Sequence, residues 1–179
     1  LSLEIIIVNN VSKANDEALL KEKFPEIKWL ETGYNAGFGR ANNTGMKAAW
    51  GEYFLLLNSD TQIIDNSIER ALNRYKSSNN IAVAGATQLN PDKSLKKISP
   101  FYAPILRYSW LLLPNKKADN FIEKLIPLTN YSDIEEVDFV PGAFMLLHRN
   151  IFTKTGGFDE AFFMYAEDVE WGSRLKKLG

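Results

Sequence analysis

Apolar residues along this chain fall in short runs, and polar turn formers close most of them. The clearest run is Tyr53 to Leu57, which ends abruptly in Asn58, Ser59 and Asp60. An unbroken apolar run of this length predicts a strand buried on both faces, as in the middle of a parallel sheet. Leu3 to Val8 is a second, β-branched run, interrupted only by Glu4 and followed by Asn9, Asn10, Val11 and Ser12. The spacing predicts a helix over Asp16 to Phe24, stopped by Pro25, and a short strand over Ile27 to Leu30. Strand, helix and strand in that order favour a parallel sheet.

The pattern continues with Asn35 to Gly45, a loop carrying Gly37 and Gly39 that feeds a helix-compatible run to Trp50. Backbone N–H groups at such a helix start face an anionic ligand, or the glycines simply make a tight turn. Their spacing is not the dinucleotide fingerprint, because no third glycine stands three residues after Gly39. A helix is predicted over Asp65 to Ser77 and a strand over Ile81 to Ala86. Prolines then punctuate the chain at Pro91, Pro100, Pro104, Pro114 and Pro127. Ile105 to Leu113 is aromatic and apolar, with Lys116 and Lys117 beyond it. It reads either as a helix packed on the core or as an exposed surface for a lipid-linked partner or a membrane face. Val137 to Leu147 has a strand pattern broken by Pro141 and Gly142, and Ile151 to Thr155 one helical turn ended by Gly156 and Gly157. After a polar-aromatic loop over Phe158 to Tyr165, Glu167 and Asp168 open a last amphipathic helix.

Composition narrows the chemistry. The chain has 179 residues, enough for one domain with a sizeable core, and its 45% apolar and 24% charged content is that of a soluble globular protein. A net charge of −1 gives no basic field for nucleic acid. With no cysteine, disulfides, thiolate metal sites and a cysteine nucleophile are excluded. His148 is the only histidine, so any metal sits on oxygen ligands. His148 itself reads as a strand-end surface residue. Neither a signal peptide nor a bilayer-spanning apolar stretch is visible, and the expected place is the cytoplasm, with association at the inner face of the membrane left open.

Open α/β sheets bind ligands in the crevice outside the carboxyl ends of their strands, where Asp60 is expected. A carboxylate there holds a divalent cation that bridges phosphates; otherwise Asp60 belongs to a plain turn or caps a helix. Glu167 and Asp168 read equally as a helix-capping pair, since acidic residues in a first turn suit the helix dipole.

Together these stretches resemble the family 2 glycosyltransferases of the GT-A fold, in the branch containing bacterial rhamnosyltransferase-like enzymes. The residues that carry the resemblance are Leu3 to Ser12, Asn35 to Gly45, Leu57 to Thr61 in an Asn-x-Asp form, Pro141 to Arg149 with Gly156 to Glu160, and the Glu167–Asp168 pair. The resemblance implies an α/β, Rossmann-like, mostly parallel sheet with helices on both faces. It implies one domain over 1–179, with a nucleotide-binding half, 1–88, and a sugar and acceptor half, 89–179. It also implies inverting transfer from a nucleotide-sugar donor, a deoxyhexose such as rhamnose first among them, to a saccharide or lipid-linked acceptor. Mg2+ or Mn2+ is the implied cofactor, with Asp60 its ligand. Asp168, beside Glu167, is the implied catalytic base. Asn9, Asn10, Ser12, Asn35 and Gly37 line the nucleotide side, Asn58 belongs to the Asn-x-Asp motif, and Gly142 and Ala143 lie near the donor sugar.

Three departures accompany it. Asn9 and Ala14 stand where the family has aspartates, and the chain opens at the family's second strand and stops soon after Asp168. The expectation is a domain truncated at both ends. Its vacant central strand position would be filled by direct pairing of Leu3–Val8 with Tyr53–Leu57, by preceding residues, or by another chain. A catalytically weak nucleotide-sugar-binding domain and a nucleotidyltransferase are the competing readings.

Overall fold

The computed structural model describes residues 2–11, 16–78, 80–96 and 135–178. Ser12, Ala14 and the apolar stretch Ile105 to Leu113 lie outside them. The described elements are β1 (Ile6–Asn9), α1 (Asp16–Lys23), β2 (Lys28–Glu31), α2 (Phe38–Ala48), β3 (Tyr53–Leu57) and α3 (Ser67–Lys76). They continue with β4 (Val83–Gly85), β5 (Phe144–His148), α4 (Arg149–Thr155) and α5 (Glu167–Lys177).

β1 pairs parallel with β2, as the strand–helix–strand order predicts. β3, β5 and β4 form a second sheet in that order, with β5 antiparallel to both neighbours. β3 and β4 therefore run the same way, and β5 is inserted between them in reverse. The apolar pattern carries no sign of this, because a run reads the same from either end.

Side-chain alternation gives the second sheet two covered faces. Phe54 and Leu56 of β3, with Met145 and Leu147 of β5, pack on Met46 of α2, Phe158 and Trp171 of α5. Phe144 and Leu146, with Tyr53 and Leu55, pack instead against Tyr75 and its neighbours on α3. Helices thus cover both faces, as expected. β3 alternates in exposure rather than being uniformly buried, and Leu57 at its end is 40% exposed.

β1 differs from expectation. Leu3 and Ile5 are 68% and 50% exposed, and the strand itself is only half-buried. The reason is its place: it pairs with β2 alone and is not part of the central sheet. Direct pairing with β3 is not seen, and among the described residues no strand lies between the two sheets. Glu4 instead accepts from the N–H groups of Trp50 and Gly51 at 2.6 and 2.7 Å, which ties the start of β1 to the turn before β3.

Candidate active site

The register Leu57↔Phe144 sets the carboxyl end of β3 beside the start of β5. There the Asn58 N–H donates to the Ala143 carbonyl at 3.2 Å, and the Thr61 N–H to the Asn58 carbonyl at 3.0 Å. Asp60 rides on this turn, exposed, with no partner for its carboxylate among the described residues. It is not a helix cap, because α3 begins only at Ser67 with Asn66 before it. Gly142 is buried under Phe38; a Cβ there would lie 2.5 Å from the Phe38 ring. The missing side chain lets the β5 bend touch the start of α2.

The loop before α2 is latched to β1. Asn10 Nδ2 donates to Asn35 Oδ1 at 3.0 Å and to the Gly37 carbonyl at 3.4 Å, while Asn10 Oδ1 accepts from the Ala36 N–H at 2.7 Å. Thr32 Oγ1 reaches the Asn9 carbonyl, 3.0 Å, and Asn10 Oδ1, 3.3 Å. Asn10, Asn35 and Gly37 are therefore one hydrogen-bonded network. Asn9 takes a different role: its Nδ2 donates to Glu31 Oε1 at 3.1 Å. Gly37 sits at φ +80°, and a Cβ on it would meet the Phe163 carbonyl oxygen at 2.0 Å. Phe38 N–H donates to that same oxygen at 3.2 Å, joining the loop to the segment before α5.

Glu167 and Asp168 open α5 but face different neighbours. Glu167 is 6% exposed and lies beside Gly39 of α2, and its Oε2 has no hydrogen-bond partner. Burial raises its pKa above the ordinary value of 4.5, and the Asp168 charge adds to the rise. Asp168 is half-buried, lines one small cavity with Val83, Val140, Met145 and Trp171, and accepts from the Val169 N–H at 2.9 Å. Asp168 thus serves an amide of its own first turn. Val140, on the wall of the same cavity, precedes the Pro141–Ala143 bend, which is bonded to the Asp60 turn.

Hydrogen bonds thus join Asn10, Asn35 and Gly37, another joins Asn58 to Ala143, and close packing sets Gly142 on Phe38 and Glu167 beside Gly39. Asp60 rides on the turn bonded to Ala143, and Asp168 shares a cavity wall with Val140. Asn9 sits at the margin, paired with Glu31. His148 is structural: its Nδ1 accepts from the Asn150 N–H at 3.0 Å and caps α4, and its Nε2 lies 3.3 Å from Glu52.

Sequence reasoning missed Thr32, Asn43 and Arg174. Asn43 is buried in α2 and binds the Phe158 backbone; Arg174 of α5 donates to the carbonyls of Thr155 and Gly157. A cavity of about 230 Å³ opens along this seam, but its Arg174 is already engaged by Glu170 and those carbonyls.

Among the described residues no group of three or more acidic or histidine side chains could cage a metal. A lone exposed carboxylate at Asp60 suits a magnesium-like ion, which takes one or two carboxylates and draws its other ligands from phosphate and water.

The family description "Glycosyl transferase family 2" matches residues 1–156. The N-acetylglucosaminyl-diphospho-decaprenol L-rhamnosyltransferase of Mycobacterium tuberculosis is 26% identical over 197 residues, covering 99% of this chain and 62% of that protein. Rhamnosyltransferase WbbL of Escherichia coli is 29% identical, covering 98% of this chain and 67% of its own length. The low-salt glycan biosynthesis hexosyltransferase Agl10 of Haloferax volcanii is 26% identical, at 97% and 53% coverage. The chain thus spans between about half and two thirds of these relatives. Among solved structures, GalNAc-T7 with UDP, GalNAc and Mn2+ superposes with a TM-score of 0.62 at 12% identity, over 98% of this chain and 34% of that one. S. aureus TarS in complex with UDP gives 0.58 at 14% identity, over 96% and 45%. At such identities the likeness shows the fold, which is GT-A.

Proposed function

The chain belongs to glycosyl transferase family 2, and on that premise we propose that it transfers a sugar, with inversion, from a nucleoside-diphosphate donor to a saccharide or lipid-linked acceptor in bacterial polysaccharide or cell-envelope synthesis. One observation carries the reading: the turn that bears Asp60 is hydrogen-bonded to the Pro141–Ala143 bend at the carboxyl end of β3, and Val140 before that bend lines one small cavity with Asp168.

In this reading the Asn10–Asn35–Gly37 network shapes the nucleotide side, and Gly142 and Ala143 line the donor sugar. Asp60 holds Mg2+ or Mn2+; when bound, such an ion neutralises charge on the leaving diphosphate. Asp168 accepts the proton of the acceptor hydroxyl as that oxygen bonds to the anomeric carbon. The carbon–phosphate-oxygen bond breaks on the opposite face, and the nucleoside diphosphate leaves with the electron pair. One displacement inverts the centre without a covalent enzyme intermediate. Two rhamnosyltransferases among the relatives make a deoxyhexose the first donor to try. A lipid-linked acceptor would place the protein at the cytoplasmic face of a membrane, and no helix among the described residues is long and apolar enough to cross one.

The second reading is a nucleotide-sugar-binding domain with little turnover. It is favoured by Asn9, an amide engaged with Glu31 where the family has a carboxylate. One experiment separates the two. A panel of nucleotide sugars is screened by thermal shift with and without Mn2+, and the donors that bind are assayed for nucleoside diphosphate release with saccharide acceptors. Metal-dependent release supports transfer; binding without release supports the second reading; no binding refutes both.

A further inference from the structure

Asn43 lies inside α2 and is 1% exposed. Its Nδ2 donates to the Phe158 carbonyl at 2.8 Å, and its Oδ1 accepts from the Phe158 N–H at 3.0 Å. One amide therefore holds both backbone groups of one residue, which fixes orientation as well as distance. Gly157 makes the approach feasible, since a Cβ there would stand 2.4 Å from Asn43 Oδ1. From the other side, Arg174 of α5 donates to the carbonyls of Thr155 and Gly157, each at 2.6 Å. The turn between α4 and the 158–166 loop is thus clamped between α2 and α5.

Each helix brings one side of the cleft to this clamp. The start of α2 carries the Asn35–Phe38 loop, and the start of α5 carries Glu167 and Asp168. The Phe158 ring meets Phe38 edge-on at 5.6 Å and Trp171 at 4.6 Å. Trp171 stands one helical turn after Glu167, and Gly39 sits against both Phe158 and Glu167.

We propose that Asn43 is a positioning residue: by gripping the Phe158 backbone it sets where the Glu167–Asp168 pair stands relative to the donor-side loop on α2. Its catalytic meaning rests on the sugar-transfer reading above; the clamp itself does not. Removing the amide leaves a buried N–H and a buried C=O without partners, a local penalty. An amide that merely filled the core would weaken the whole domain instead.

Hydrogen exchange on the full chain distinguishes these cases. In Asn43→Ala, amides 158–170 should exchange at least roughly tenfold faster, with those of β3 and β5 unchanged. Uniform acceleration, or none, overturns the proposal. Asn43→Asp adds a second reading of the same clamp. Its protonated form again offers a donor to the Phe158 carbonyl, whereas its ionised form sets like partial charges face to face. The ionised form also meets the Glu160 carboxylate, which lies 3.3 Å from Asn43 Nδ2 and is held ionised by that amide, Lys47 and Arg40. After correction for intrinsic rates, its excess exchange should shrink between about pH 7 and about pH 5, whereas that of Asn43→Ala should not. No recovery overturns the clamp, and failure of both variants to fold makes Asn43 a general core residue and overturns it too. For the positioning role, Asn43→Asp should lower kcat for nucleoside diphosphate release by at least about tenfold, with the donor KM within about threefold. Equal loss in both sinks positioning. If the wild type releases nothing from any nucleotide sugar, the sugar-transfer reading fails, and hydrogen exchange still judges the clamp.

Discussion

Glu167 is the side chain most at odds with its surroundings. Its carboxyl is buried, one oxygen lacks a partner, and burial first and Asp168 second raise its pKa. The folded chain therefore keeps this proton to higher pH than the unfolded chain, which loses it around 4.5. Stability from this group is fully present below that value and is lost as pH rises through the folded pKa. Glu167→Gln removes the titration, so its urea midpoint should fall less than that of wild type as pH rises across this window. Parallel curves would contradict the assignment. Asp168→Asn, in protein that turns over, should keep donor affinity and lose roughly 10² to 10⁴ in rate. Donor binding lost in step with rate would make Asp168 a donor ligand. The sequence shows such residues where polar groups end an apolar run, as at Asn10 and Asp60, or where acidic residues open a helix, as at Glu167. Asn43 gives no such sign, because its partner Phe158 lies 115 positions away.

At the scale of elements, the start of α5 is strained. Tyr165 and Ala166 both stand at φ 68°, in the left-handed region, and no side chain caps the helix. Such a conformation costs an L-residue about 1–2 kcal/mol, so Ala166→Gly should stabilise the fold by about 1 kcal/mol in urea unfolding. Loss of stability would mean the strain is absent. Gly37→Ala is the converse case. A left-handed φ and the Phe163 carbonyl at 2.0 Å from the new Cβ should cost about 1–3 kcal/mol and free the Phe38–Phe163 hydrogen bond. An unchanged midpoint would contradict the contact. Element identity was largely legible: Tyr53–Leu57 is a strand as its run predicts, and the helices predicted around α1, α2 and α3 form. Ends moved where pairing decides them. Leu3–Val8 contracts to Ile6–Asn9 because β2 offers only four residues to pair with.

For the whole molecule, the sheet β3–β5–β4 explains why the Asn58–Thr61 turn meets the distant Pro141–Ala143 bend. Its two faces are closed by different helices, so the free surface lies at the strand ends, where the loops collect. The sequence showed which loops belonged together only through their order and their likeness to a family. Apolar periodicity alone gives strands and helices without saying which strand lies beside which. The reversed β5 is the clearest case, because it alone brings Ala143 to Asn58.

The central claim is that this cleft binds a nucleotide through a metal held by Asp60. Titration calorimetry of UDP and of dTDP, each with and without Mn2+, on wild type and Asp60→Ala tests it most directly. Asp60 is exposed and unpartnered among the described residues, so the variant should unfold within about 0.5 kcal/mol of wild type. The wild type should bind at least one of the two nucleotides, more tightly with Mn2+, and Asp60→Ala should lose that metal-dependent gain. Equal metal-dependent affinity in the folded variant, or no binding of either nucleotide by wild type, would contradict the account.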